Sequence, residues 1–292
     1  MYAITGITGK VGGIVAHTLL TAGLPIRAVV RDAGKGRPWI EKGCEVAIAS
    51  ISDPVGLTKA FSGADGVFLM TPPDFDPEPG FPLTHKAIES IKAAITAAQP
   101  GKVVFLSTVG AQVAEFNLLN NSKITEEGLR TVHVPVAFLR AAWFMENASW
   151  DVEAAKKGIV SSFLQPLDHP IPMVATADIG STAASLLRET WIGLRIVELE
   201  GPRRYSANDV AVGFAEAFGH PVRMEPVPRD TWEALFRSQG MKHPLARIRM
   251  IDGFNEGWID FEGDGAEHRA GRIPLETVLK DLTAQSALGQ TS

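Results

Sequence analysis

A glycine-rich turn near the start of the chain constrains the fold more than any other feature. The sequence GITGKVG at residues 6–12 follows a short apolar strand and opens an amphipathic helix. In such a unit Gly6 permits a tight turn, Gly9 lets a phosphate approach the backbone, and Gly12 lets the helix pack closely on the strand. The helix N-terminus then offers free N–H groups to an anion. The turn therefore predicts a dinucleotide site on a parallel sheet.

Short apolar strands alternate with helical segments throughout the first half of the chain. The predicted strands are residues 2–5, 26–31, 45–48, 66–70, 102–107 and 136–139, and the predicted helices are residues 11–22, 35–42, 54–61, 82–98 and 121–131. This alternation is typical of a parallel sheet with helices on both faces and right-handed crossovers. The sequence therefore predicts an α/β fold with a Rossmann-type doubly wound parallel sheet.

The alternation becomes less regular in the second half of the chain. The predicted elements there are a helix at 176–189, a strand at 195–199, a helix at 208–218 capped by Ser206 and ended by Gly219, a strand at 223–227 and a helix at 230–238. The glycine- and aromatic-rich segment 250–262 is predicted to be a loop. We expect an NAD(P)-binding domain over residues 1–150 and a smaller subdomain over residues 151–292. No Pro/Gly-rich linker separates the halves, so the second is expected to pack on the first.

The end of the second predicted strand bears on the choice of cofactor. Arg31 and Asp32 lie 19 and 20 residues after Gly12. An arginine there binds the 2′-phosphate of NADP, whereas an acid binds the ribose 2′-OH of NAD. Lys35 and Arg37 follow and add positive charge. The pattern favours NADP(H) and leaves NAD(H) open; the structural alternative is a solvated, charged turn.

Composition excludes several classes of function. With 28 basic and 33 acidic residues the formal net charge is -5, and no basic stripe occurs, which argues against nucleic-acid binding by bulk charge. The single cysteine, Cys44, excludes an internal disulfide, and no His-Glu-x-x-His motif indicates a metal site. No apolar run approaches the roughly 20 residues of a membrane helix, and the N-terminus does not resemble a signal peptide. We expect a cytoplasmic protein with no membrane association.

Several segments together resemble a known family. They are GITGKVGG at 6–13, AVVRD at 28–32, FSGADGVFLMTPP at 61–73, FLSTVGA at 105–111 and FLRAAWFMEN at 138–147. This set is similar to the NmrA-like, atypical short-chain dehydrogenase/reductase proteins, which include NADPH sensors and NAD(P)H:quinone reductases. The resemblance spans most of the chain. It implies a Rossmann domain, a smaller C-terminal α+β substrate subdomain, and a cofactor cleft between them.

The resemblance also implies which residues hold the cofactor. The residues that match the family's cofactor positions are Gly6, Thr8, Gly9, Lys10, Val11, Gly12, Arg31, Thr71, Pro72, Ser107 and Lys123. Among them Arg31 would contact the 2′-phosphate, and Thr71 with Pro72 would close over the cofactor after the fourth strand. An acid that the family often has near the adenine is replaced here by Ser50.

Catalytic and substrate positions follow from the same resemblance. Ser107 would lie beside the nicotinamide, and Lys123 would donate a hydrogen bond to the nicotinamide ribose. Both are therefore the expected catalytic groups. The substrate pocket would be lined by Trp143, Phe144 and Asn147.

One departure from standard short-chain dehydrogenases restricts the chemistry. Their general acid is a tyrosine four residues before the lysine, and that position here is Leu119. The only tyrosines are Tyr2 and Tyr205. Carbonyl reduction needs a proton donor within hydrogen-bond reach, whereas a quinone is itself an electron sink. We therefore expect an NADPH-dependent reductase of quinones or similar electron-poor small molecules. The alternative is a non-enzymatic NADP(H) sensor that regulates a protein partner; a homodimer is compatible with either.

Overall fold

The computed structural model describes residues 1–289, in which the chain forms twelve strands. The strands are β1 (Tyr2–Ile4), β2 (Ile26–Val30), β3 (Glu45–Ile48), β4 (Gly66–Leu69), β5 (Val103–Thr108), β6 (Val136–Ala141), β7 (Trp143–Phe144), β8 (Ile159–Ser162), β9 (Met173–Val174), β10 (Leu194–Glu200), β11 (Arg223–Pro226) and β12 (Glu267–Ala270). Eight of them form one sheet, in the order β12-β10-β6-β5-β4-β1-β2-β3. Every pairing in this sheet is parallel, which confirms the predicted fold class.

Eleven α-helices connect and cover these strands. They are α1 (Lys10–Thr21), α2 (Ala33–Ile40), α3 (Pro54–Phe61), α4 (Pro82–Ala98), α5 (Asn120–Leu129), α6 (Val152–Ala155), α7 (Thr176–Arg188), α8 (Ala207–Phe218), α9 (Trp232–Ser238), α10 (Leu245–Glu256) and α11 (Leu275–Gly289). Two 3-10 helices, Met145–Trp150 and Arg229–Thr231, complete the described part. None of the helices in this part is long and apolar enough to cross a bilayer.

Strand order places a crevice at the carboxyl end of β1. The chain leaves β1 toward β2 and β3, and then returns to the other side of β1 with β4. At such a reversal the loops after the two neighbouring strands leave in opposite directions, so a ligand can lie between them. The glycine turn follows β1 and therefore lies at this crevice.

Side chains of the inner strands point alternately to the two faces of the sheet, and each face has its own apolar core. Ile4 of β1 and Phe68 of β4 lie in the cluster beneath α1 and α7, whereas Ala3 and Val67 lie in the cluster beneath α3 and α4. Successive strand residues point to opposite faces, so strands buried on both faces are apolar throughout. This explains why their sequences predict them well.

The second half of the chain contributes to both units of the molecule. Strands β10 and β12 extend the main sheet, while β7 pairs with β9 and β8 with β11 outside it. The helices α6, α8, α10 and α11 pack with these short pairs around a separate cluster that includes Tyr205 and Phe214. A boundary at residue 150 therefore divides the sequence but not the sheet, because the chain re-enters the sheet twice.

The predicted loop at 250–262 is wrong over its first half, because α10 runs from Leu245 to Glu256. Ile248, Ile251 and Phe254 are buried at three-residue intervals on one helix face. Gly253 is one of the glycines on which the loop prediction rested, yet a Cβ there would lie 2.6 Å from Ile259. The glycine thus permits a close contact instead of breaking the helix.

Candidate functional site

The glycine turn has the geometry that its sequence predicts. Gly6 has a φ of +61°, which favours glycine, and its carbonyl accepts the N–H of Gly9 at 2.9 Å. A Cβ on Gly12 would lie 2.3 Å from that same carbonyl oxygen, so the start of α1 rests directly on the turn. Any larger residue at position 12 would displace the helix from the strand.

Thr5 supports this turn from below and was missed by sequence reasoning. Its buried hydroxyl donates to the Phe68 carbonyl at 3.1 Å and accepts the N–H of Met70 at 2.8 Å. The hydroxyl thereby ties the carboxyl ends of β1 and β4 together beside the crevice. The signal available in the sequence was a hydroxyl residue between the apolar strand and the first glycine.

The N-terminus of α1 is open to an anion. Gly9 is its N-cap and, having no side chain, gives no capping hydrogen bond; Thr8, Gly9 and Lys10 are all exposed. The first-turn N–H groups and the positive end of the helix dipole therefore face the crevice. A pyrophosphate fits a backbone surface of this kind, because glycines leave room for its oxygens.

A positively charged cleft of about 530 Å³ lies between α1 and α2. Thr8, Gly9 and Gly13 line it on the side of α1, and Lys35 with Lys42 line it on the side of α2. Two ammonium groups around one cleft favour a phosphate ligand. Lys42 was missed by sequence reasoning, because it lies beyond the end of α2 and reaches the cleft only through the fold.

The two residues that bear on cofactor choice differ in their local roles. Arg31 follows β2 directly and is exposed. Asp32 is the N-cap of α2, and its carboxylate accepts the N–H of Gly34 at 2.8 Å. Asp32 thus has a structural task at the start of the helix, whereas Arg31 is exposed at the carboxyl end of β2, the strand next to β1.

The loop after β4 extends across the carboxyl edge of the sheet to the smaller unit. Thr71 is half-buried and Pro72 is exposed at its start. Further along, the carboxylate of Asp76 accepts the backbone N–H of Lys242 at 2.8 Å and of His243 at 2.6 Å. Although desolvation of Asp76 opposes its ionisation, these two donors hold the pKa of the carboxyl below its ordinary value. The loop is therefore fastened at a defined position.

Ser107 lies near the end of β5, as expected, but its hydroxyl has another partner. It is 4% exposed and donates to Glu126 Oε1 at 2.6 Å. The hydroxyl proton is thus held by a buried carboxyl group, and the catalytic role expected for Ser107 stays a prediction. Lys123 lies one turn before Glu126 on α5, half-buried, and its Nζ donates to the Val113 carbonyl at 3.2 Å.

Glu126 belongs to a buried network of charges centred on Arg140. The guanidinium donates to both oxygens of Glu126, at 3.0 and 2.8 Å, and to Glu262 at 2.6 Å. Glu198 lies 3.8 Å away, and Ser107, Arg140 and Glu198 are in register across β5, β6 and β10. Although desolvation lowers the pKa of Arg140, its hydrogen bonds with Glu126 and Glu262 raise it overall. The network ties four elements together beneath the site.

The three expected pocket residues lie on one segment after β6. Trp143 and Phe144 form β7, and Asn147 lies on the 3-10 helix Met145–Trp150; all three are half-buried. Trp143 packs edge to face on Phe254 of α10 with ring centroids 5.2 Å apart. The pocket wall therefore depends on α10, the helix that the sequence did not predict.

A second cleft, of about 370 Å³, connects the glycine turn with this segment. Lys10 and Ile14 of α1 line one side, and Glu146, Thr176 and Asp281 line the other. Glu146 also accepts the backbone N–H and the hydroxyl of Thr176, which holds the start of α7 against the 3-10 helix. The structure thus brings the glycine turn and the predicted pocket segment to one edge.

Neither tyrosine is available at this edge. Tyr2 begins β1, at the opposite end of the strand from the glycine turn. Tyr205 is fully buried in the core of the smaller unit, where its hydroxyl accepts the Leu275 N–H at 3.2 Å. Leu119, which replaces the usual tyrosine, packs against that same core. Within residues 1–289 no group of three metal-binding side chains was found either.

Comparisons with known proteins agree with this architecture. The NmrA-like family matches residues 2–260. An NAD(P)H azoreductase of Xenophilus azovorans is 27% identical over 88% of this chain and 85% of its own length, and quinone oxidoreductase 2 of Escherichia coli is 24% identical over 84% of each. The structure of Citrobacter sp. triphenylmethane reductase with NADP(H) superimposes with a TM-score of 0.81 at 22% identity, over 97% of this chain and all of that one. The chain belongs to the NmrA-like family.

Proposed function

We propose that this protein is an NADPH-dependent oxidoreductase that reduces quinones or similar electron-poor small molecules. The observation that carries the proposal is the combination of a built dinucleotide crevice with a reaction edge that lacks any tyrosine. The crevice is assembled from the glycine turn, the open N-terminus of α1 and the lysine-lined cleft beside it. The azoreductase and quinone oxidoreductase names of the relatives support this class of activity.

Cofactor preference in this proposal rests on positive charge around the adenosine end. Arg31, Lys35 and Lys42 would bind a 2′-phosphate, since a dianion gains most from several cations. Asp32 would bind a ribose hydroxyl less strongly, because one of its carboxylate oxygens already accepts the Gly34 N–H at the start of α2. We therefore assign NADP(H) as the preferred cofactor, with NAD(H) as the weaker one.

The chemistry proposed for the site needs no protein acid. When bound, NADPH would supply a hydride, which carries two electrons to the acceptor. Reduction of a quinone to a hydroquinone would need one further proton, which water can supply to a quinone oxygen. The protein's part is to place the acceptor ring against the cofactor and to exclude competing reactants. In this proposal Lys123 holds the nicotinamide ribose, and Trp143 and Asn147 shape the acceptor side.

Cofactor titrations test the proposal at Arg31. We expect Arg31→Ala to raise the Kd for NADPH by roughly 10- to 100-fold, the equivalent of about 1.5–3 kcal/mol for charge-assisted hydrogen bonds. The Kd for NADH should change less than about twofold, since NADH has no 2′-phosphate. Arg188→Ala is the matched control, because Arg188 is exposed at the end of α7, the end remote from the crevice. An equal loss for NADH would contradict the assignment.

The alternative, a cofactor sensor without turnover, makes a different prediction. Such a sensor would bind NADPH and yet oxidise none with any acceptor. Three of the relatives that match most of this chain carry reductase or oxidoreductase names, so the enzyme is the function proposed. A homodimer or a protein partner stays a prediction.

A further inference from the structure

Two exposed aromatic side chains meet where the sheet and the smaller unit come together. Phe75 lies in the loop that leaves the carboxyl end of β4, and Trp150 ends the 3-10 helix that carries Asn147. Their ring centroids are 6.4 Å apart with planes at 84°, an edge-to-face contact. This aromatic pair therefore links the loop after β4 to the segment that carries the expected pocket residue Asn147.

Most of the surface of this pair is not used by the fold. Phe75 is 51% exposed and Trp150 is 67% exposed. By contrast, the edge-to-face pair Phe105–Phe138 lies fully buried within the sheet core. Two large rings that touch each other and remain open to water offer apolar area for a ligand.

The backbone beside Phe75 is held by hydrogen bonds of the next residue, Asp76. The Asp76 carboxylate accepts hydrogen bonds from the backbone N–H groups of Lys242 and His243, in the connection between α9 and α10. These bonds hold the loop in place beside Phe75. A binding surface held in place in this way loses little conformational entropy when a ligand arrives. Removing the Phe75 ring should therefore leave the loop anchored.

We propose that Phe75 and Trp150 form an aromatic platform that selects acceptors with a second fused ring. This inference rests on the proposed function, and it concerns the acceptor side of the same site. The reducible ring would lie inward toward Trp143 and Asn147, and the second ring would extend onto the platform. A single-ring acceptor ends before the platform and gains nothing from it.

Isothermal titration calorimetry of the full chain loaded with NADP⁺ tests the platform without turnover. The probes are 2,3-dimethyl-1,4-naphthoquinone and the single-ring tetramethyl-1,4-benzoquinone, both fully substituted on the quinone ring. For Phe75→Ala and Trp150→Ala we expect the Kd of the naphthoquinone to rise roughly three- to tenfold, as lost ring contacts imply. The Kd of the benzoquinone should change less than about twofold. Ile192→Ala, at a 96% exposed position on the opposite edge, is the control and should change neither.

Two outcomes overturn the platform: unchanged naphthoquinone binding in both variants, or an equal loss for both quinones. Phe75→Leu and Trp150→Leu keep apolar area at these positions and should lose less affinity than the alanine variants. Failure of the proposed function is distinguishable from these results. If naphthoquinone binding depends on the pair while NADPH is never oxidised, the platform stands and the reductase proposal falls. If turnover occurs and the variants bind normally, only the platform falls.

Discussion

Replacement of Arg140 by methionine should destabilise the fold severely, because it leaves buried carboxylates without their cation. The side chains of Arg140, Glu126 and Glu198 are 2%, 3% and 1% exposed. Glu126 would retain Ser107 and a longer contact with Arg130, at 3.8 Å. Removing one partner from a buried ion pair costs about 3–5 kcal/mol. That is a large share of a total stability of about 5–15 kcal/mol.

Urea unfolding measures this loss. With a denaturant slope near 3 kcal/mol/M for a chain of this size, a loss of about 4 kcal/mol lowers the midpoint by roughly 1.3 M. Arg237→Met is the matched control, because Arg237 pairs with Glu233 four residues earlier on the surface of α9. An exposed pair of that kind is worth about 0.5 kcal/mol, so the control midpoint should fall by no more than ~0.2 M.

A double variant separates the charge effect from lost packing. Glu126→Gln removes one of the stranded charges, so the double variant with Arg140→Met should be less destabilised than the sum of the two single variants. If Arg140→Met shifts the midpoint no more than Arg237→Met does, the network does not stabilise the fold as argued. A strictly additive double variant would show that the loss comes from packing alone.

Two further predictions concern the glycine turn and a buried acid. Gly12→Val should raise the Kd for NADPH at least about tenfold in fluorescence titrations, since its Cβ would lie 2.3 Å from the Gly6 carbonyl; unchanged binding would refute the close packing. Burial raises the pKa of Asp151 from 3.8 to about 6. Because the unfolded chain ionises Asp151 more readily than the folded one does, ionisation lowers the free energy of unfolding. This loss of stability grows from about pH 4 to about pH 6 and stays constant at higher pH. Asp151→Asn should therefore stabilise the protein by up to about 3 kcal/mol at pH 8 and hardly at all at pH 3, measured by urea unfolding; equal effects at both pH values would contradict this.

The sequence predicts the inner sheet because local and global signals agree there. Strands such as β2 and β4 are short apolar runs between turns, and the glycine turn carries its own geometric requirement. Strand β12 was missed, because Glu267–Ala270 is a polar segment at the sheet edge, where neither alternation nor an apolar run is needed. Helix α10 was missed because Gly253 indicates a loop unless its contact with Ile259 is known.

The site was predictable only where a residue acts near its own position in the chain. The positions of the glycine turn after β1 and of Arg31 after β2 could be predicted from their spacing in the sequence, while the cofactor contact of Arg31 stays a prediction. The partners of Ser107 and Asp76 could not, since they come from α5 and from the α9–α10 connection, far away in the chain. One signal in the sequence does point to the buried network: Arg140 is a charged residue inside an apolar strand, which requires buried counter-charges.

The central claim, reduction of electron-poor acceptors without a catalytic tyrosine, is tested most directly by steady-state NADPH oxidation. Purified protein is given a panel of quinones and simple ketones or aldehydes, with Arg31→Ala and Arg188→Ala in parallel. We expect multiple turnovers with quinones and none with simple carbonyls. At sub-saturating NADPH the rate should fall in Arg31→Ala and persist in Arg188→Ala. Efficient turnover of simple carbonyls, or no oxidation with any acceptor by protein that binds NADPH, would contradict the account.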